Sequence, residues 1–254
     1  MPSFFSIFSD YFFAPQGAHT PCGMFSFPHL LASAISLAAV AVLLIFKRKE
    51  FGENHREKIV KSLSIFITVL ELIKISHSFI YGDLYLDAWF PLSYCGLFIF
   101  ALWMAGFGSG AIRRIGEVFI AYGCPIAGIA FLIFPTTSLM LFPVWHYFSL
   151  YSLFFHSVMI FLGISFLLNE KKFDRKSYRF YTVFFITFAI IAIVLNCFFG
   201  SNLMNLREPY NIPIDFLQWL YASAPFLYTL LAVFLFMLVP IVTAFFANKF
   251  KLKK

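Results

Sequence analysis

Seven stretches of this chain run apolar for close to the roughly 20 residues a helix needs to cross a bilayer, with polar positions gathered between them. They lie near residues 27–46, 59–80, 88–107, 115–134, 144–168, 180–199 and 217–246. The pattern predicts an all-α, polytopic membrane helix bundle: one membrane domain over 1–254 with seven transmembrane helices. Pro125 in the fourth stretch and Pro225 and Pro240 in the last are expected kink sites. Residues 1–25 differ, because Phe4, Phe5, Ile7, Phe8, Tyr11, Phe12 and Phe13 come without a long apolar core. They fit an interfacial segment lying on the membrane, and with no basic leader they do not read as a cleaved signal peptide.

Charge orients the bundle. Of 19 Lys and Arg residues, all but Lys74 and Arg207 fall in the first, third and fifth connections and the tail, beginning with Lys47, Arg48 and Lys49 and ending with Lys253 and Lys254. Cytoplasmic loops concentrate basic residues, so the amino terminus is expected outside and the carboxyl terminus in the cytoplasm. A formal net charge of +7 would suggest nucleic acid in a soluble protein. Here, with 61% hydrophobic residues and a mean hydropathy of +0.85, it reports contact with anionic lipid headgroups, and no nucleic-acid partner is expected.

Polar groups inside the spans stand out against this background. Ser64, Thr68, Glu71, Lys74 and Ser78 share an arc of about 120° on the second span, with His77 at its flank. Glu71 and Lys74, three residues apart, are placed to pair, which lowers the cost of holding both away from water. The pair reads equally as a packing device or as a functional site. His156 sits on an apolar stretch of the fifth span, where a satisfied packing histidine is the ordinary reading. Asn196 and Asn202 bring amides to the end of the sixth. In the third span, Pro91-Leu92-Ser93-Tyr94-Cys95 places a thiol roughly 9 Å below the Trp89 interface, counted along a helix that starts at Pro91. Cys95, His156, Glu71, Lys74, His77, Asn196 and Asn202 therefore concentrate in one half of the bundle, the half away from the basic loops.

Several chemistries are excluded. The chain has no HExxH, GxSxG or Walker loop, and His77 to Asp83 is one residue too long for an HxxxxD acyltransferase box. The last span holds no lysine for a retinal Schiff base. Cys22, Cys95, Cys124 and Cys197 lack CxxC or metal-ligand spacing, and His29, His55 and His146 do not complete a ligand set, so no metal and no cofactor are expected. What remains open is a thiol–imidazole enzyme or, in a different class, a non-enzymatic transporter or receptor with a polar intramembrane site.

The chain resembles the YwaF-like family of bacterial integral membrane proteins, which is similar to the animal transmembrane protein 164 type acyltransferases. The resemblance rests on Glu71-Leu72-Ile73-Lys74, Pro91-Leu92-Ser93-Tyr94-Cys95, Phe155-His156, and Asn196 with Gly200-Ser201-Asn202-Leu203-Met204-Asn205-Leu206 and Pro209. It implies a phospholipid acyltransferase or transacylase in a bacterial plasma membrane, moving an acyl chain between phospholipid and lysophospholipid. In that reading Cys95 is the nucleophile and His156 the general base. Glu71, Lys74, His77, Asn196 and Asn202 support the substrate in the outer-leaflet half. Related chains often carry histidine where this one has Ser93, and glycine where it has Ser157.

Overall fold

The computed structural model describes residues 8–47, 53–169, 173–210, 212 and 214–251. The expectations for Phe4, Phe5, Ile7, Arg48, Lys49, Lys171, Lys172, Lys253 and Lys254 lie outside these residues. Among the described residues every regular element is a helix. The longer ones are α1 (Phe27–Lys47), α2 (Glu53–Tyr81), α3 (Leu97–Phe107), α4 (Gly110–Ile133), α5 (Tyr147–Asn169), α6 (Arg175–Phe199) and α7 (Pro225–Lys251). Among the described residues five segments are long and apolar enough to cross a membrane: Phe27–Phe46, Gly110–Leu141, Tyr147–Leu168, Arg175–Phe199 and Pro225–Lys249.

Burial is inverted relative to a soluble bundle. On α2, Glu71 is 5% exposed while Leu72 beside it is 55% exposed, and Ile65, Phe66 and Val69 also face outward. An apolar exterior around a polar stripe is what a hydrocarbon surround selects. The basic connections meet at one end, where Arg113 of α4 reaches Glu57 of α2 at 2.9 Å and Glu57 also holds Lys61.

Helices approach closely where glycine replaces a side chain. A Cβ at Gly116 would lie 2.4 Å from Ala101 O, and one at Gly163 would lie 2.6 Å from the Pro125 ring. These contacts seat α3 on α4, and α4 on α5 at the proline. Pro240, inside α7, removes the amide that would bond Phe236 O. Tyr181 Oη of α6 donates to that carbonyl at 2.8 Å, and Tyr94 Oη donates to Tyr181 Oη at 2.8 Å. At the far end of α4, Leu132 O receives His29 Nε2 (3.0 Å) and Ser33 Oγ (2.9 Å), tying down the otherwise exposed α1.

Two predicted spans are broken. The third has one helical turn at Leu86–Trp89, leaves the helix, and resumes it only from Leu97, where 11 residues cover about 16 Å, too short to cross alone. The seventh splits into Asp215–Ser223 and α7, joined at Ala224. Pro225 opens α7 at a position where no amide is needed, so it starts a helix and does not kink one.

The described part of the amino-terminal segment does more than lie on a surface. Ala14 is 2% exposed, and its carbonyl accepts from two histidines, His77 Nε2 on α2 (3.2 Å, shared with Phe13 O at 3.1 Å) and His146 Nε2 just before α5 (3.0 Å). Phe12 and Phe13 pack on the Tyr147 ring, closing the bundle at the end opposite the basic loops.

Candidate functional site

Pro91 and Gly96 bracket the break in the third span. Leu92 N–H turns back to Phe90 O at 2.8 Å, Gly96 N–H is capped by Ser93 Oγ at 2.9 Å, and a Cβ at Gly96 would meet Pro91 O at 2.4 Å. Cys95 was expected two turns inside a helix; it sits instead in the turn just ahead of α3, partly exposed. Hydropathy could not reveal this, because the side chains stay apolar while the backbone leaves the helix.

Irregular backbone at membrane depth needs partners from the protein. The segment after α6 supplies them. Gly200 ends α6 in the left-handed region at φ 67°, Met204 and Asn205 follow at φ 59° and 51°, and Met204 N–H donates to Leu92 O at 3.1 Å. Asn196 shapes this loop: Oδ1 accepts from Leu203 N–H (2.7 Å) and Ser201 Oγ (2.9 Å), and Nδ2 donates to Leu203 O (3.1 Å). Asn202 does the same further out, accepting from Arg207 and Glu208 N–H and donating to Glu208 O. Its own N–H reaches Asp87 at 3.2 Å. Both asparagines thus spend their described hydrogen bonds on the loop that braces the Cys95 turn.

A second polar group lies between α2 and α5. Lys74 Nζ is 2.6 Å from Glu71 Oε1, and Tyr151 Oη donates to Glu71 Oε2 at 2.6 Å. Tyr147, one turn earlier and stacked on Tyr151, donates to Leu70 O at 2.6 Å. The expected Glu71–Lys74 pair is present. The tyrosines were missed, although a buried carboxylate has more acceptor sites than one lysine fills, which directs attention to hydroxyls on neighbouring spans. His77 belongs to the amino-terminal clasp already described, with its ring enclosed by Tyr81, His146 and Phe148.

His156 is 6% exposed and lies flat against Phe131 of α4, ring centroids 3.6 Å apart. Its Nδ1 is 2.7 Å from Ser152 O. A carbonyl accepts only, so the proton sits on Nδ1 and Nε2 keeps its lone pair, buried and without a hydrogen-bond partner. Neither nitrogen engages the Cys95 thiol. The segments meet instead through Phe98, one turn after Cys95, whose ring packs edge-on against Phe155 at 5.4 Å. The fold therefore brings Glu71, Lys74 and Tyr151 together and braces Cys95 with the Asn196–Asn202 loop, while His156 stands apart from the thiol.

All four cysteines are free, and among the described residues no group of three or more His, Cys, Asp or Glu side chains is gathered to hold a metal. The TMEM164 family model matches residues 24–243, which takes in Glu71, Lys74, Cys95, Tyr151, His156, Asn196 and Asn202. The chain belongs to the TMEM164 family. Comparison with curated proteins and with solved structures gave no match. Placed in the TMEM164 family, the broken third span and the loop after α6 are two of the segments that carry the sequence resemblance, and Met204 N–H to Leu92 O joins them directly.

Proposed function

We propose that this TMEM164-family protein is a membrane-embedded phospholipid acyltransferase or transacylase, moving a fatty acyl chain between phospholipid and lysophospholipid through Cys95. The observation that supports it best is the state of His156: a buried imidazole with its proton held on Nδ1 by Ser152 O and a free lone pair on Nε2. That is the arrangement a general base requires.

In the first half-reaction His156 Nε2 takes the Cys95 proton, and the sulfur attacks the ester carbonyl of a phospholipid entering sideways. The carbon–oxygen ester bond breaks, a thioester forms, and the lysophospholipid oxygen leaves with the proton from His156. In the second, His156 takes the proton of an acceptor hydroxyl, the oxygen attacks the thioester, and the thiol is restored. Because the thiol and imidazole are apart in this structure, the Phe98–Phe155 contact shifts when substrate binds. Lys74, held by Glu71, serves the phosphate of the substrate. In this reading α2 and the broken α3 complete seven crossings, with the amino terminus outside, the carboxyl terminus in the cytoplasm and Cys95 in the outer-leaflet half of a bacterial plasma membrane. No metal or cofactor takes part.

The test is incubation with labelled phospholipid, followed by intact-protein mass measurement. Wild type is expected to carry one hydroxylamine-sensitive acyl adduct, absent from Cys95→Ala and from His156→Ala. An active Cys95→Ala protein, or an adduct on Cys22, Cys124 or Cys197, overturns the mechanism.

A further inference from the structure

α1 and α2 both lean on α5, and between them a slot of about 470 Å³ opens sideways toward the membrane. Leu43 of α1, Leu63 of α2, and Phe154 and Val158 of α5 form its walls. Two polar side chains reach it, Lys58 and Ser62, one turn apart on α2 near the basic end. Both are exposed, and neither has a hydrogen bond or ion pair among the described residues. Their neighbours are committed: Glu57 holds Lys61 and Arg113, and Arg113 also holds Glu117. The slot lies on the α2-facing side of α5, whereas His156 faces Phe131 of α4.

An apolar recess of this kind does not hold water, and in a bilayer the material beside it is hydrocarbon chain. What distinguishes it from any lipid-facing groove is its unpaired cation, on a stem long enough to reach the interface while its methylenes stay against the slot. A chain in the slot and an anion at its rim are the two halves of one molecule.

We propose that this slot is a phospholipid-binding site separate from Cys95, with an acyl chain between α1, α2 and α5 and an anionic headgroup phosphate held by Lys58 and the Ser62 hydroxyl. The lipid fills the gap between α1 and α2 and fastens α1, which is otherwise largely exposed, to the bundle. The site does not depend on acyl transfer.

The full-length protein is reconstituted in nanodiscs of mixed phosphatidylglycerol and phosphatidylcholine, released into mild detergent, and its retained lipid measured by native mass spectrometry. Wild type is expected to keep one phosphatidylglycerol per chain in preference to phosphatidylcholine. Lys58→Glu should lower that preference by about five-fold or more, as expected for losing a basic contact at an anionic surface. Leu43→Trp, at an exposed position on the slot wall, should expel both lipids. Cys95→Ala should behave as wild type. Lys58→Gln carries the same test should the charge reversal lower the melting temperature. Equal retention by wild type and both Lys58 variants, lipid kept by Leu43→Trp, or lipid lost from Cys95→Ala would each overturn the proposal, the last by placing the retained lipid at the thiol.

Discussion

Tyr181→Phe removes one oxygen atom and leaves two groups without partners. Phe236 O is already deprived of its helical amide by Pro240, so its described bond is the one from Tyr181 Oη at 2.8 Å. Tyr94 Oη loses its acceptor in the same substitution. An unsatisfied buried polar group costs about 1–3 kcal/mol in general. Side-chain bonds within membrane bundles have measured nearer about 0.6 kcal/mol, with a ceiling around 1.7, so a total of about 1–2 kcal/mol is expected here. The carbonyl share is separable. In a Pro240→Ala background residue 240 regains its N–H and can bond Phe236 O, so Tyr181→Phe should then cost only the Tyr94 share. Equilibrium unfolding in mixed detergent and SDS micelles, followed by tryptophan fluorescence, gives the four stabilities of this cycle. A coupling energy of about 0.5–1 kcal/mol is expected between the two positions. A coupling within about 0.3 kcal/mol of zero would show that the tyrosine is not standing in for the missing amide, and the account of α7 would fail with it.

Gly163→Ala should destabilise the same preparation by about 1–3 kcal/mol, because the added carbon would sit 2.6 Å from the Pro125 ring and 3.0 Å from Ile120 O; an unchanged midpoint would mean that α4 and α5 separate freely. Hydrogen bonds from Lys61 and Arg113 hold the Glu57 carboxyl below the usual carboxylate value of about 4.3, so its stabilising effect is full above that value and is lost as pH falls through the lower, folded-state value. Acid titration of melting temperature should therefore show a decline below about pH 4 that Glu57→Gln lacks; parallel curves for the two proteins would refute the role given to this cluster.

Membrane character was legible because it is a property of side chains summed over whole spans. Five of the expected spans return as helices long and apolar enough to cross. The Glu71–Lys74 pair was legible for a similar reason: its spacing is local to one helix. What escaped is what depends on backbone and on contacts between spans. Pro91 is compatible with either a helix start or a turn, and the choice is made by Met204 N–H, more than 100 residues away in sequence, bonding Leu92 O. The loop bonds of Asn196 and Asn202 escaped for the same reason, since their partners exist only once that loop has folded. Tyr151 carried no local mark at all, since its significance comes from a carboxylate on another helix.

The Ala14 carbonyl has two lone pairs, and two histidines use them, His77 on α2 and His146 just before α5. Both bonds address the main chain, so what is specified at this point is a distance along the polypeptide and a small side chain, with little demand on residue identity. The segment between Ala14 and the start of α1 at Phe27 is then held along its main chain, by His77 and His146 at Ala14 and by Cys22 N–H to Phe142 O and Gly23 N–H to Leu139 O further on, while His29 and Ser33 fasten α1 itself to Leu132 O. Substituting residues there other than Gly17 and Gly23, whose φ values of 86° and 80° favour glycine, leaves these main-chain bonds in place, whereas inserting or deleting one slides the wrong carbonyl under the histidines. Tolerance to most substitutions combined with intolerance to a change of length is the mutational signature this anchorage would leave between Ala14 and Phe27.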